Sequence, residues 1–154
     1  MPHDTPPPRT GSDETTTLRG FLDYLRTSIA AKVDGTPEPA VRTAAVPSGT
    51  NLLGLVEHLT HVERWIFLGE DVTDWQATFC APQADSAADV VARYRATVAR
   101  ANEMLDGCGD LNAPVPGRAA PSLRWALTHM IEETGRHAGH ADVIRELIDG
   151  STGR

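Results

Sequence analysis

Two histidines and a glutamate, His58, Glu133 and His137, are of the types and spacing that hold a divalent metal. Glu133 and His137 stand four residues apart, so one helical turn would stack a carboxylate and an imidazole on the same face. His58 is distant in sequence and must arrive from another element. Two imidazoles and one carboxylate are also the protein ligands of open catalytic zinc sites, whose remaining positions take water or substrate. An ionised glutamate on an apolar face is costly unless it is paired or coordinates a metal, which is why the trio reads as a site.

The elements that must position these residues are helices. After the N-cap candidates Ser12 and Asp13, Leu18, Phe21, Leu22, Leu25 and Ile29 recur at helical spacing until Gly35, Pro37 and Pro39. A second helix, capped by Thr50 or Asn51, has the seam Leu52, Leu55, Leu59, Val62 and Ile66 and stops at Gly69. Ser86 and Asp89 form a capping-box pattern ahead of Val90, Val91, Tyr94, Val98, Ala101 and Leu105, which closes at Gly107. From Ser122, a last pattern runs through Leu123, Leu127, Met130, Ala141, Ile144, Leu147 and Ile148 to Gly150, with Gly135 and Gly139 as weak points. No strand-like alternation of useful length occurs. The predicted fold class is all-α, a four-helix bundle over residues 14–150, with tails at 1–13 and 151–154.

Rotation of about 100° per residue then sorts the polar groups. With Leu55 at the seam centre, His58 lies about 60° to one side and His61 about 120° away. With Met130 at the centre of the last seam, Glu133 lies about 60° off and His137 about 20°, whereas His140 sits near the edge at about 80° and His129 at about 100°. Glu132 and Arg136 point further out. Two rival groupings remain: Glu57 with His61, a pair read as projecting away from the seam, and two H-x-x-H pairs, His58/His61 and His137/His140. The second is ranked lower because the seam places His61 badly.

Composition narrows the classes of function. A net charge of -7 with no basic stripe argues against a nucleic-acid partner. No apolar run approaches the roughly 20 residues of a membrane span, and residues 1–13 lack the apolar centre of a signal peptide, so a cytoplasmic location is expected. The proline-rich opening, with His3, is read as a tail without chemistry. Cys80 and Cys108 match no CxxC spacing and are expected to be plain thiols. Residues 70–85, with Trp75, Phe79 and Cys80, lack periodicity and are read as a lid or a crossover; the 107–121 loop is left open as a second lid.

The segments NLLGLVEHLTHVERWIFLGE and SLRWALTHMIEETGRHAGHADVIRELIDG resemble the DinB-like family of metal-dependent enzymes, particularly its branch related to mycothiol-dependent maleylpyruvate isomerase. The resemblance implies a DinB-like four-helix bundle with a metal on His58, Glu133 and His137. Where many members have H-x-x-x-H on the last helix, this chain reads Glu133-x-x-x-His137, similar to the mycothiol-dependent branch. That implies zinc first, with nickel, iron or manganese as alternatives, and a low-molecular-weight thiol such as mycothiol as co-substrate for a small electrophile. His140 is the expected proton-transfer residue, and Arg136 and Trp65 the expected lining of the mouth. The isomerase carries a further C-terminal domain, whereas this sequence stops at Arg154, so an S-transferase is expected rather than an isomerase. A metal-dependent hydrolase using bound water, and a non-catalytic or dimerising bundle, stand as alternatives.

Overall fold

The computed structural model describes residues 5–9, 11–117 and 119–153. Among them are four α-helices and no strand: α1 (Glu14–Val33), α2 (Leu52–Leu68), α3 (Ala87–Asp106) and α4 (Leu123–Asp149). Each begins where a side chain can take up a free backbone N–H. Asp13 accepts from Thr16, Asn51 from Gly54 and Ser122 from Trp125, while Ser86 and Asp89 complete the reciprocal box of α3. Two of the helices end on a left-handed glycine: Gly69 has φ 68° and closes on the Arg64 carbonyl, and Gly150 has φ 76° and closes on that of Glu146. Gly135 and Gly139 leave α4 unbroken, because packing along the seam outweighs a propensity deficit of about 1 kcal/mol each.

α1 packs on α4 and α2 on α3, and α2 also reaches across to α4. The apolar interior falls into two clusters. One gathers Ile29, Val41, Leu55, Leu59, Tyr94 and Ile144; the other gathers Leu22, Ile66, Phe67, Leu105, Leu127 and Met130. Polar side chains occupy the waist between them. Along α1, Arg26 separates Leu22 from Ile29; along α4, Glu133 and His137 separate Met130 from Ala141.

Arg26 and Glu63 form one half of that waist. The guanidinium donates from Nε to Glu63 Oε1 at 2.7 Å and from Nη2 to Oε2 at 2.6 Å, and from Nη1 to Asp23 and Asn102. Neither partner is more than 3% exposed. Burial works against the cation, but the adjacent Glu63 carboxylate and its hydrogen bonds win, so Arg26 is held charged, above its ordinary range. One fork thereby ties α1 to α2, with α3 reached through Asn102.

Two expectations are corrected and one is filled in. Glu57 turns away from the seam and is nevertheless buried: it accepts from Arg93 Nη2 at 2.8 Å and meets His61 Nε2 at 3.3 Å. α2 is covered on more than its seam face, so a residue turned away from α4 lands against α3. Leu147 and Phe21, assigned to seams by spacing, are 67% and 39% exposed. Leu147 lies near the end of α4, where no facing helix covers it, and Phe21 gives its inward place to Leu22.

Of the opening segment, residues 5–9 and 11–13 are described; His3 lies outside the described residues, as does Arg154 at the other end. Tyr24 Oη donates to the Thr5 carbonyl at 2.8 Å, so this part touches α1. Cys80 and Cys108 are free thiols. No helix of the described residues is long and apolar enough to cross a membrane.

Candidate metal centre

His58 on α2 and the Glu133/His137 pair on α4 meet at the waist. His58 Nε2 lies 3.2 Å from Glu133 Oε1, and His137 Nε2 lies 3.0 Å from the same oxygen. The two imidazoles stand edge-on with centroids 5.1 Å apart. One donor atom from each residue falls within 4.8 Å of the others, the arrangement that three ligands of one ion require. His58 is 5% exposed and His137 7%, so both rings are withdrawn from solvent.

What aims His58 comes from the 69–86 connection, the segment without periodicity. A short 3-10 turn, Ala77–Phe79, lies across α2 one turn before His58. There α2 has Gly54, where a Cβ would sit 2.2 Å from the Phe79 carbonyl oxygen; only a hydrogen at that position lets the turn descend so far. The Phe79 ring then stacks on His58 at 3.9 Å between centroids and 10° between planes, and Trp75 meets the same imidazole edge-on at 6.0 Å. The 107–121 loop does something else. Its Leu111, Val115 and Ala120 fill the second apolar cluster, and Gly117 abuts Gly69.

Thr78 sets the proton on His58. Its hydroxyl donates to the Trp75 carbonyl at 2.6 Å, which uses its one proton, so at 2.7 Å from His58 Nδ1 the same oxygen accepts. The Nδ1–H tautomer follows, and Nε2 turns a lone pair toward Glu133. In the neutral ring an acceptor then faces an acceptor at 3.2 Å, a contact that either a proton or a metal ion between them relieves. Hydrogen bonding from His137 first, and from His58 second, holds the Glu133 carboxyl well below the usual range, so it is ionised. His137 Nδ1 is buried with no hydrogen-bond partner among the described residues.

The donor set fits a metal. Ligands about 2.0 to 2.2 Å from a tetrahedral zinc lie about 3.3 Å from one another, close to the separations around Glu133 Oε1. The Thr78 contact to Nδ1 is the outer hydrogen bond that metal-binding histidines ordinarily make.

A family model described as Mycothiol-S-transferase matches residues 17–150. The chain belongs to this family. No curated protein and no solved structure gave a significant match. The mycothiol-S-transferase match covers α1 from Thr17 onward and the whole of α2, α3 and α4, and includes every residue of the cluster. It accords with the DinB-like resemblance carried by the two quoted segments, and with the all-α bundle observed.

The other expected residues lie at different distances from the cluster. His140 is exposed, with its ring 5.6 Å from that of His137. Trp65 is half-buried and meets Trp75 edge-on at 5.1 Å, so it touches the second ring around His58 rather than His58 itself. Arg136 is exposed and pairs with Glu132 at 3.0 Å on the outer face of α4. Sequence reasoning missed Thr78, Phe79 as a stacking partner, and the Arg26–Glu63 fork. The first two had one faint signal, an apolar and aromatic segment with no helical period. Arg26 and Glu63 had another: at helical spacing each falls among residues of an apolar seam.

Proposed function

We propose that this protein is a metal-dependent S-transferase that joins the sulfur of a low-molecular-weight thiol, mycothiol, to a small electrophile. The observation that carries the reading is the convergence of one ligand atom each from His58, Glu133 and His137 within 4.8 Å of one another. The His2Glu set suits zinc first, then nickel, iron and manganese. A divalent cation bound there lowers the pKa of a coordinating sulfhydryl and so supplies thiolate at neutral pH.

The chain's own residues do the rest. His58, Glu133 and His137 would hold the ion through three protein ligands, which leaves further positions for water or substrate. The thiol proton passes to His140, the exposed imidazole beside His137. The sulfur's electron pair forms the new C–S bond as the leaving group departs with its own pair, and His140 returns the proton to solvent or to the leaving group. Trp65, acting through Trp75, and Arg136, once released from Glu132, line the thiol's end of the mouth in this scheme. The proposed location is the cytoplasm, where thiol pools are kept reduced.

The test is elemental analysis of the purified protein, followed by assay of the zinc- or nickel-loaded chain with mycothiol, bacillithiol or glutathione and a reporter electrophile. Stoichiometric metal and thiol-dependent product are expected. Absence of metal binding, or of any thiol-dependent turnover, overturns the reading. Equal substrate consumption without thiol would identify a hydrolase instead. A Glu133→Ala variant that loses stability where no activity existed would identify a structural bundle.

A further inference from the structure

A groove of about 350 Å3 opens beside the cluster, between Val46, Ser48 and Thr50 of the first connection and His140, Val143 and Ile144 of α4. Its walls are apolar, and two of them, Val46 and Val143, are 42% and 58% exposed although both are aliphatic. One edge is polar. Ser48 Oγ and Thr50 Oγ1 are 3.0 Å apart, so one hydroxyl donates to the other and a single O–H remains to point outward. His140 lines the groove and is also the residue whose ring lies 5.6 Å from that of His137.

We propose that this groove holds the electrophile during transfer, and that its acceptor is a compact molecule with an apolar body and one hydrogen-bond acceptor. The inference rests on the S-transferase reading and adds which substrate lies where. A two-substrate transfer needs both reactants at the cluster. A polyhydroxylated thiol has little apolar surface to bury against Val46, Val143 and Ile144, whereas an aryl or alkyl halide does. The volume is at the small end of ligand sites, about 300 to 1,000 Å3, which limits the acceptor to roughly one ring. The free hydroxyl of the Ser48/Thr50 pair would hold its carbonyl or nitro oxygen, directing the reactive carbon toward His140 and the cluster.

The experiment uses the zinc-loaded full chain with mycothiol and 1-chloro-2,4-dinitrobenzene. Here sulfur replaces chloride on the ring: the C–S bond forms, chloride leaves with its electron pair, and the thiol proton goes to His140. Val143→Asp, at an exposed helical position, should raise KM for the halide by about tenfold or more and leave KM for mycothiol and the zinc content unchanged. Independently of turnover, nitrobenzene titrated into the 15N-labelled protein should move the amides of Val46, Ser48, Gly49 and Thr50 and of His140 to Ile144. Four results overturn the inference: amide shifts confined elsewhere, a Val143→Asp effect on the thiol's KM alone, an unchanged KM for the halide, or concentration-dependent dimerisation that covers Val143. Nitrobenzene shifts in the groove without any transferase turnover would remove the S-transferase reading and the electrophile's role together. Turnover with no groove shifts would remove only the present inference.

Discussion

Thr78 Oγ1 lies 2.7 Å from His58 Nδ1 and gives its own proton to the Trp75 carbonyl, 2.6 Å away. A residue in an irregular connection thus decides which nitrogen of a helical histidine is free to bind. Replacing the hydroxyl by a methyl, as in Thr78→Val, should keep the bundle folded and weaken zinc binding by about 10- to 100-fold, read by chelator competition. Thr78→Ser restores the acceptor and should recover most of the affinity. The 15N shifts of His58 in the metal-free protein should move from the Nδ1–H pattern toward a mixture in the valine variant alone.

Zinc binding should stabilise the fold by mass action. At a free concentration about 100 times Kd, unfolding should cost about 2.7 kcal/mol more than in excess chelator. Urea titrations with and without zinc measure the difference. Glu133→Ala should abolish it, since Glu133 Oε1 is the atom both imidazoles approach.

Gly54→Ala puts a methyl carbon where the Phe79 carbonyl lies 2.2 Å away. The Ala77–Phe79 turn must lift, taking Thr78 and the stacked ring off His58. A loss of about 1 to 3 kcal/mol is expected, with weaker zinc binding. Gly139→Ala is the contrast: a Cβ there meets nothing within 4 Å, so the helix should gain about 0.5 to 1 kcal/mol. Thermal unfolding of both variants distinguishes close approach from simple propensity.

Breaking the Arg26–Glu63 fork from one side leaves a buried charge unpaired. Arg26→Met or Glu63→Leu alone should cost about 3 to 5 kcal/mol, and the double variant much less than their sum. Urea denaturation of the four proteins in the cycle gives the coupling. Additive losses would mean that the fork is not a closed pair.

Asp89 makes a pH-dependent contribution. Hydrogen bonds from the Ser86 hydroxyl, and then from its backbone N–H, hold the carboxyl below its ordinary value. A folded pKa lower than the unfolded one stabilises the native state at pH values above the unfolded value, about 3.9, and this is lost as pH falls through the folded value. The stability gap between wild type and Asp89→Ala should therefore be constant from pH 7 to about pH 5 and shrink in stronger acid. Urea unfolding across that range measures it.

Helical periodicity and capping chemistry are local, and they were readable. Asn51, the Ser86/Asp89 box, Ser122 and the closing glycines Gly69 and Gly150 stand where the sequence indicates, and one fixed rotation per residue turns His58, Glu133 and His137 inward without any knowledge of the partner helix. The same rule misplaced Leu147 and gave no sign that Glu57 is buried, because it says which face a residue occupies and not whether another helix covers that face. Only tertiary structure decided what lies over the cluster. Trp75, Thr78 and Phe79 have no period to reveal their direction, and their seat depends on a missing side chain at Gly54. It also decided that Arg26 meets Glu63, 37 residues on, since a pairing over that distance is set by how helices cross and not by local sequence.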